Sequence, residues 1–497
     1  MNETRKGKGR AERGVLERVI IKGTLRLEKP AHFGNGDIVG FTDMPLLRDS
    51  VAGKPLLTGA SIAGALRNYL WQYQNGYGVS EKYEAAKKSL AEALFGCIDD
   101  SNPEDKATRQ SWLFVEDALG EAPALDHDEA NPQQCPGVEL RDGVAIDAKT
   151  HTAEDQKKFG VELLEAGWIF KLQFELLLNE TNKQLLPALG LALRGLQNKE
   201  IGLGYRKRRG FGECSVSNWE INHYHLTEPK ELVAWLEKAG CNHKGSADKV
   251  ETLLAGELDF SDKRETFTID ATFKLESSLL IRSGTGGANA PDAVHLRSRR
   301  GNEYKPILSG TSLAGAIRNR AYRILKTIKP EKIEAGKTNL IDEMFGQRIE
   351  GADDVPTGSR LLVRETEIDG TTDLVQTRVK IDGFTGGAFP TALFSEQPVF
   401  GGEGARVKIH LTLQNPQDEE IGLLLLVLKD LWTSDLPLGG ESSVGRGRLV
   451  GDCANMTLRR AEKTEQWEMK QVADGIEVTG GKTHGDLETY VEKLWTI

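Results

Sequence analysis

The stretch that decides the fold occurs twice. The first copy reads Pro55-Leu-Leu-Thr-Gly-Ala-Ser-Ile-Ala-Gly-Ala-Leu-Arg-Asn68, and the second reads Pro306-Ile-Leu-Ser-Gly-Thr-Ser-Leu-Ala-Gly-Ala-Ile-Arg-Asn319. Nine of the fourteen positions are identical. The copies begin about 250 residues apart in a chain of 497 residues. A period of that length indicates two copies of a whole domain rather than a short solenoid repeat.

Each copy predicts a turn that leads into a helix. In the first copy, Thr58 or Ser61 is suited to cap the helix, and Ile62, Leu66 and Leu70 have the spacing of a buried stripe. A second face carries small residues followed by one arginine: Ala60, Ala63, Gly64 and Arg67 in the first copy, Thr311, Ala314, Gly315 and Arg318 in the second. Small side chains admit another backbone, and a helix N-terminus attracts anions. We interpret this face as a phosphate contact; close packing on a neighbouring strand is the alternative.

Composition limits the possible partners. The net charge of −10 argues against a protein coated in non-specific nucleic-acid contacts, but it allows a narrow basic groove. Five cysteines without C-x-x-C spacing predict neither a disulfide framework nor a zinc site. The polar N-terminus and the short apolar run 423–428 predict no signal peptide and no membrane span. We therefore expect a cytoplasmic protein.

Alternating strands open both copies and lead into glycine-rich loops. Residues 19–27 and 267–275 alternate apolar side chains with a period of two, which predicts half-buried strands. In each following loop an aspartate lies five residues before an arginine, as Asp43 before Arg48 and Asp292 before Arg297. Asp37 is a rival to Asp43 but has no paired arginine. Loops of this kind are exposed and often carry function.

Each copy ends in a second glycine-rich loop. Leu203-Gly204-Tyr-Arg-Lys-Arg-Arg-Gly210-Phe-Gly212 and Leu438-Gly439-Gly-Glu-Ser-Ser-Val-Gly445-Arg-Gly447 share their glycine spacing. The first contains four consecutive cations, Arg206 to Arg209, between Tyr205 and Phe211. Such a cluster suits phosphates and a stacked base, although a solvated charge run is the alternative. The second loop differs from the first, because it contains Glu441 and has no run of basic residues.

Further strands and a hairpin are predicted between the helix and the closing loop. The segments 112–115 and 361–363 have the composition of matched strands. Val144-Ala-Ile-Asp147 and Val379-Lys-Ile-Asp382 are each followed by a polar excursion and another strand. Excursions of that length predict a projecting hairpin in each copy.

Several catalytic motifs are missing from the sequence. None of the nine histidines has H-x-x-x-H or H-E-x-x-H spacing, so the sequence predicts no histidine metal cluster. The segment 475–483 fails as a Walker loop because of an extra glycine, and Gly59-Ala-Ser61 fails as a nucleophile elbow. His32 and His295 lie at non-equivalent positions, so they are not a matched pair.

Taken together, these motifs resemble the RAMP superfamily, and within it the backbone (Cas-seven-like) subunits of type III CRISPR effector complexes. The resemblance covers residues 15–222 and 263–456. Two such units in one chain are similar to the fused double-backbone subunit of the type III-D branch. The implied fold is α+β: two tandem modified ferredoxin-like (RRM-like) domains with thumb hairpins and helical insertions. We expect a flexible tail over 1–14, a helical linker over 223–262 and a C-terminal extension over 457–497.

The resemblance also implies function. It predicts a groove for guide RNA, a thumb wedged into the guide–target duplex, and cleavage of single-stranded target RNA by loop aspartates with Mg²⁺ or another divalent cation. Carried over by position, the catalytic and metal-binding residues are Asp43 and Asp292. Other effector-complex subunits are the implied partners. The RNA-binding candidates are Ser61, Gly64, Arg67, Ser312, Gly315, Arg318, Gly204, Tyr205, Arg206, Lys207, Arg208, Arg209, Gly210, Phe211, Gly439, Gly445 and Arg446.

Three alternatives remain open. The first is a structural backbone subunit that binds guide RNA without cutting, because a loop aspartate is also a common turn former. The second is a guide-processing endonuclease of the same superfamily, which would depend on a histidine base such as His32 or His295. The third is a small-molecule enzyme with duplicated domains, for which the sequence offers no polar constellation.

Overall fold

A computed structural model describes residues 14–34, 36, 43–80, 89–97, 110–122, 137–147, 150, 152–238, 243–254, 256, 258, 260–283, 290–331, 340–347, 357–461, 463–473, 475–480 and 484–495. Asp37, the rival to Asp43, and nearly all of the predicted tail over 1–14 lie outside these residues. Within them the chain is a mixed α+β protein built as two similar units.

The first unit is formed around one antiparallel sheet. Its strands are β1 (Glu17–Leu27), β2 (Leu56–Leu57), β3 (Leu113–Val115), β4 (Ala118–Glu121), β5 (Val138–Ile146), β6 (Ala153–Leu164), β7 (Ile169–Leu178), β8 (Cys214–His225) and β9 (His243–Ala247). Its helices are α1 (Gly59–Asn75), α2 (Leu90–Phe95), α3 (Leu185–Gln197) and α4 (Pro229–Leu236). The sheet order is β2-β4-β7-β1-β8-β9, and β3 also pairs with β7.

The second unit repeats this plan with a longer sheet. Its strands are β10 (Thr266–Leu275), β11 (Ser278–Leu279), β12 (Arg282–Ser283), β13 (Ala293–His295), β14 (Arg297–Arg300), β15 (Glu303–Leu308), β16 (Leu361–Val363), β17 (Thr366–Asp369), β18 (Thr372–Asp373), β19 (Gln376–Ile381), β20 (Ala388–Gln397), β21 (Val399–Phe400), β22 (Arg406–Gln414), β23 (Leu449–Arg460), β24 (Lys463–Val472) and β25 (Gly475–Gly480). Its helices are α5 (Gly310–Ile328), α6 (Leu340–Phe345), α7 (Asp418–Trp432) and α8 (His484–Lys493). The main sheet runs β14-β15-β17-β22-β10-β23-β24-β25, and β16 also pairs with β22.

Both sheets have the same three antiparallel strands at their centre. The opening strand of each unit, β1 or β10, lies between β7 and β8 or between β22 and β23. The predicted alternation is confirmed, because the inward side chains Ile21, Leu25, Ile269 and Phe273 are almost fully buried. Helices α1 to α3 share one apolar core with the strands of the first unit, and α5 to α8 share another with the strands of the second.

The repeated motif forms the first turns of α1 and α5, as predicted. Thr58 is the cap of α1, and its hydroxyl accepts a hydrogen bond from the Ser61 N–H. The predicted stripe Ile62, Leu66 and Leu70 is fully buried. At Gly59 a Cβ atom would lie 2.2 Å from the Val115 carbonyl oxygen, so only glycine allows the helix to approach β3 this closely.

Two hairpins project where the sequence predicted them. Strands β5 and β6 pair with each other in a separate two-stranded sheet. Strands β19 and β20 form the equivalent hairpin of the second unit. The Ile-Asp pairs Ile146-Asp147 and Ile381-Asp382 lie at the ends of β5 and β19. The first strand of each hairpin therefore ends, and the hairpin turns, at a matched position in the two units.

The base of the first hairpin is anchored to the second unit through buried charges. Arg141 on β5 forms an ion pair with Glu365, which is fully buried, and Arg300 on β14 donates to the same carboxylate at 2.5 Å. Burial alone would raise the pKa of Glu365, but Arg141 and Arg300 together lower it. Ser298 completes the cluster by donating to Glu139 at 2.9 Å. One carboxylate thus joins two arginines from different units.

Some segments outside the predicted domains extend the sheets. In the predicted linker, β9 pairs with β8, and in the predicted C-terminal extension β24 pairs with β23 and β25. The exact domain boundaries remain a prediction. No helix in the described part of the chain combines the length and the apolar character needed to cross a bilayer.

We expect Glu365→Ala to reduce the free energy of unfolding by about 3–5 kcal/mol, because it removes the fully buried carboxylate that two buried arginines share, and Arg141 then keeps only Glu139. The urea midpoint measured by circular dichroism checks this. The matched control is Asp373→Ala, which breaks the half-exposed pair with Arg297 and should cost no more than about 1 kcal/mol. Equal losses in both variants would contradict the assigned role of Glu365.

Candidate nucleic-acid interface

The two loop aspartates occupy equivalent positions against the two hairpins. The carboxylate Oδ2 of Asp43 accepts a hydrogen bond from the Gly160 N–H on β6 at 2.7 Å. The Oδ2 of Asp292 accepts one from the Ser395 N–H on β20 at 2.7 Å, and another from the Ser395 hydroxyl at 3.0 Å. Both side chains are exposed. Each carboxylate therefore lies at the side of a projecting hairpin.

The backbone that follows each aspartate strengthens the correspondence. Met44 forms a parallel bridge with Val161, one residue after Gly160. Ala293 pairs in parallel with Glu396, one residue after Ser395. The alignment of Asp43 with Asp292 from sequence thus agrees with their geometry, although their chemical role remains a prediction. The bonds to Asp292 lower the pKa of its carboxyl group, the largest effect being that of the Ser395 N–H.

The small-residue face of α1 is open, whereas the face of α5 is open at Gly315 but packed at Ala314, which is buried in the core. A Cβ atom built at Gly64 or at Gly315 would meet no described atom within 4 Å, and Ser61 is exposed while Ser312 is half-buried. Arg67 donates to the Gly96 carbonyl at 3.0 Å, and Arg318 pairs with Asp342 at 2.9 Å. The close packing considered as an alternative occurs instead at Gly59 and Gly310, one turn earlier.

The basic loop of the first unit lies against the second unit. A Cβ atom at Gly310 would come within 2.2 Å of the Arg209 carbonyl oxygen, so this loop contacts the start of α5. Burial lowers the pKa of Arg209 most, and the nearby charges of Arg206 and Arg318 lower it further. We call Arg206, Arg209 and Arg318 the cationic seam. It brings arginines of both units together.

The aromatic residues beside the basic run differ in exposure. Tyr205 is half-buried, and its ring lies edge-on to His32 with centroids 5.8 Å apart. The Arg206 guanidinium lies over the Tyr205 ring and over Phe159 of β6. Phe211 is buried in the hairpin base beneath Arg141, so its ring supports the loop from inside. Of the two aromatics, Tyr205 is the more accessible.

The closing loop of the second unit has the same backbone but different side chains. Arg206 and Glu441 share the left-handed conformation, with φ of 51° and 60°, and Gly210 and Gly445 share φ of 92° and 87°. Gly204 and Gly439 are both exposed. Arg446 is buried and pairs with Glu396 at 2.7 Å. A buried, paired guanidinium supports the hairpin, so we leave Arg446 out of the surface proposed below.

The two loop histidines are buried and bonded to the backbone. His32 Nδ1 lies 2.8 Å from the Glu162 carbonyl oxygen. His295 lies 3.1 Å from the carbonyl oxygens of Leu279 and Ile307, and burial lowers its pKa to about 4. Neither arrangement suits a general base that must reach RNA. The geometry therefore disfavours the guide-processing alternative.

The sequence motifs predicted no histidine metal cluster, but the structure brings three histidines together. His223 and His225 lie on one face of β8, and β9 places His243 opposite His223. With Glu17 and Glu231 they form two overlapping groups of potential metal ligands. Motif spacing missed them because strand pairing joins residues that are distant in sequence. An H-x-H pair on a predicted strand was the available signal, since residues two apart share a face.

Comparison with known proteins gives the class to which these features belong. Residues 24–215 and 272–450 each match the RAMP superfamily. These matches cover more than half of the chain, so the chain belongs to the RAMP superfamily and carries its domain in tandem.

One curated relative gives a more particular likeness. The chain is 28% identical over 116 residues to the CRISPR system Cms endoribonuclease Csm3 of Streptococcus thermophilus. The aligned part is 22% of this chain. It spans about half, 50%, of the length of the relative.

The burial of His295 predicts a pH dependence of stability. Its pKa is about 4 in the folded chain and 6.5 ordinarily, so between these values the unfolded chain binds more protons. Stability should be retained above pH 6.5 and fall by up to about 3 kcal/mol as the pH drops to 4. Urea unfolding across this range checks the slope. His295→Gln should flatten it, and an unchanged slope would assign the pH dependence to other groups.

Proposed function

We propose that this chain is a guide-RNA-binding backbone subunit of a type III CRISPR effector complex. In this role it positions guide-paired target RNA, and it cleaves that RNA through Asp43 and Asp292 with a divalent cation. Further inferences are that each unit is a modified ferredoxin-like (RRM-like) domain and that the chain is a fused double-backbone subunit. The tandem superfamily match, the endoribonuclease name of the relative and the shared three-strand centre support these inferences.

The observation that carries the proposal is the matched placement of two exposed carboxylates. Asp43 and Asp292 each lie beside a projecting hairpin, in loops that lead towards the repeated helix. A buried or unmatched pair would suggest turn formers with local roles. Two copies with the same placement suit two cleavage positions along one RNA.

The proposed RNA surface combines the cationic seam with the open helix faces at Gly64 and Gly315. Backbone phosphates would contact the seam, Arg67 and the helix N-termini. Tyr205 offers a ring for stacking a base. Because none of these groups reads base edges, sequence recognition would come from the guide RNA itself.

The carboxylates are suitable ligands for a hard cation. In each, the hydrogen bonds to the hairpin use Oδ2. Mg²⁺ is often bound by one or two carboxylates together with waters and phosphate oxygens, so one aspartate per site fits. When bound, the cation would stabilise the negative charge of the scissile phosphate. RNA supplies its own 2′-hydroxyl nucleophile, and the hairpin would hold the strand in line.

A structural role without cleavage is favoured by a different observation. The hydrogen bonds to Gly160 and Ser395 show that each aspartate also fastens its loop to a hairpin. Loss of activity in an alanine variant would therefore not distinguish an anchor from a metal ligand. Substitution by asparagine does, because its amide oxygen can still accept the hairpin hydrogen bond.

We expect Asp43→Asn to abolish one cleavage position in target RNA and to leave guide and target binding nearly unchanged. Asp292→Asn should abolish a different position, because the two units would lie successively along one duplex. The assay uses the complex assembled with guide, labelled target and Mg²⁺, with EDTA as the control. Cleavage at wild-type positions and rates by Asp43→Asn would exclude the carboxylate as a metal ligand and favour the anchor.

The cationic seam should contribute affinity that depends on salt and not on sequence. We expect Arg206→Ala combined with Arg209→Ala to reduce the dependence of log K on log salt by roughly 0.7 for each lost contact with single-stranded RNA. Guide-RNA affinity measured by fluorescence anisotropy over a salt series tests this. The control Lys171→Ala removes a cation that is 75% exposed on β7 and should keep the wild-type slope. If the double variant also keeps the wild-type slope of log K against log salt, the seam does not contact RNA.

A further inference from the structure

Three histidines and two glutamates meet at the edge of the first sheet, where the segment between the two units begins. His223 and His225 lie on β8, His243 lies on β9, and Glu231 lies on α4. The rings of His223 and His225 stack with centroids 4.6 Å apart, and those of His225 and His243 are 4.9 Å apart. This is an unusual density of imidazoles for a chain that has nine histidines.

Glu231 holds an oxygen that the protein does not satisfy. Its side chain is 1% exposed, and its Oε2 accepts from the His225 N–H at 2.6 Å. Its Oε1 is buried and has no hydrogen-bond partner among the described residues. The His243 Nε2 lies 3.5 Å from that oxygen. A buried carboxylate oxygen without a hydrogen-bond donor is costly, so a cation at this position would offset a real deficit.

The spacing of the ligand atoms fits a small tetrahedral ion. Nitrogen and oxygen ligands lie about 2 Å from Zn²⁺, which puts neighbouring ligands roughly 3.3 Å apart. Two observed separations are near this value, one at each oxygen of Glu231: 3.2 Å between His225 Nδ1 and Glu231 Oε2, and 3.5 Å between His243 Nε2 and Glu231 Oε1. All ligand atoms of this group lie within 4.8 Å of one another.

We propose that His225, Glu231 and His243 bind a divalent transition-metal ion of the zinc class. Two imidazoles and one carboxylate select such an ion over Mg²⁺ or Ca²⁺, which prefer oxygen ligands. His243 is 57% exposed, so the ion has access from solvent and a water completes the coordination. Glu17 bonds to His223 Nε2 at 2.8 Å, and the stacked His223 ring holds His225 in orientation.

The ion has a structural consequence. Its ligands come from the end of β8, from α4 and from the start of β9, so it ties both elements of the segment between the units to the first sheet. Trp235 of α4 already rests on Arg18 of β1, 4.3 Å from the guanidinium carbon, which places Glu231 for this role. The proposal does not depend on the proposed RNA function, because the ligands are separate from Asp43 and Asp292.

The test uses the purified full chain, treated with chelator and then desalted. Titration with Co²⁺ should give visible d–d absorption of a tetrahedral nitrogen and oxygen site that saturates at one equivalent. Zn²⁺ should displace the Co²⁺, and a large excess of Mg²⁺ should not. Thiolate charge-transfer bands would overturn the assigned ligands, and the absence of stoichiometric binding would overturn the site.

Variants separate this site from adventitious binding by histidines. His243→Ala should weaken Co²⁺ binding at least tenfold. The control is His410→Ala, which removes a histidine paired with Asp270 on matched strands of the second unit and should keep wild-type affinity. Equal losses in both variants, or full affinity in His243→Ala, would overturn the proposal.

A measurement on the wild-type chain guards against misfolded variants. Zn²⁺ should raise the melting temperature of the chelator-treated protein and slow amide hydrogen exchange in β9, because binding stabilises only the folded form. Mg²⁺ at the same concentration should do neither. A melting temperature and a β9 exchange rate unaffected by Zn²⁺ would overturn the proposal even if some Zn²⁺ bound.

Discussion

The contact between the two units is built around one buried carboxylate. Glu365 lies between Arg141 of the first unit and Arg300 of the second, with no solvent exposure. A buried charge is tolerated only when its partners are complete, so neither arginine can leave without a large cost. The triad fixes the first hairpin against the second unit. The cationic seam lies at the same junction, where Arg209 of the first unit is near Arg318 of the second.

An ion pair anchors the hairpin in both units, but the hairpin carries the positive partner in the first unit and the negative partner in the second. In the first, the hairpin base carries an arginine that reaches a glutamate of the neighbouring unit. In the second, Glu396 of the hairpin pairs with Arg446 of its own closing loop. Glu441 occupies the backbone position of Arg206 and pairs with Arg378 at 3.0 Å. The second loop therefore uses its charges within its own unit, whereas the first carries a basic run on the same arrangement of glycines.

What could be predicted from the sequence follows from the range of the interactions involved. The strands, the buried stripe from Ile62 and the choice of cap between Thr58 and Ser61 depend on neighbours within one or two turns, so local sequence patterns were enough to predict them. The pairing of Arg141 with Glu365 joins residues 224 positions apart, and no local pattern encodes it. The histidine cluster could not be predicted for the same reason, because His243 reaches it only through the pairing of β9 with β8. Arg446 shows the converse error, since a motif match does not reveal that a guanidinium points inward.

Duplication also allows the two candidate sites to diverge in chemistry. Gly160 offers Asp43 one N–H, whereas Ser395 offers Asp292 an N–H and a hydroxyl. Each donor withdraws charge from the carboxylate and restrains its rotation, so Asp292 has less freedom to serve a cation. A glycine beside Asp43 also leaves more space for a phosphate than a serine does. We therefore expect the first unit to hold the stronger cation site, and the second to depend more on the anchoring role of its aspartate.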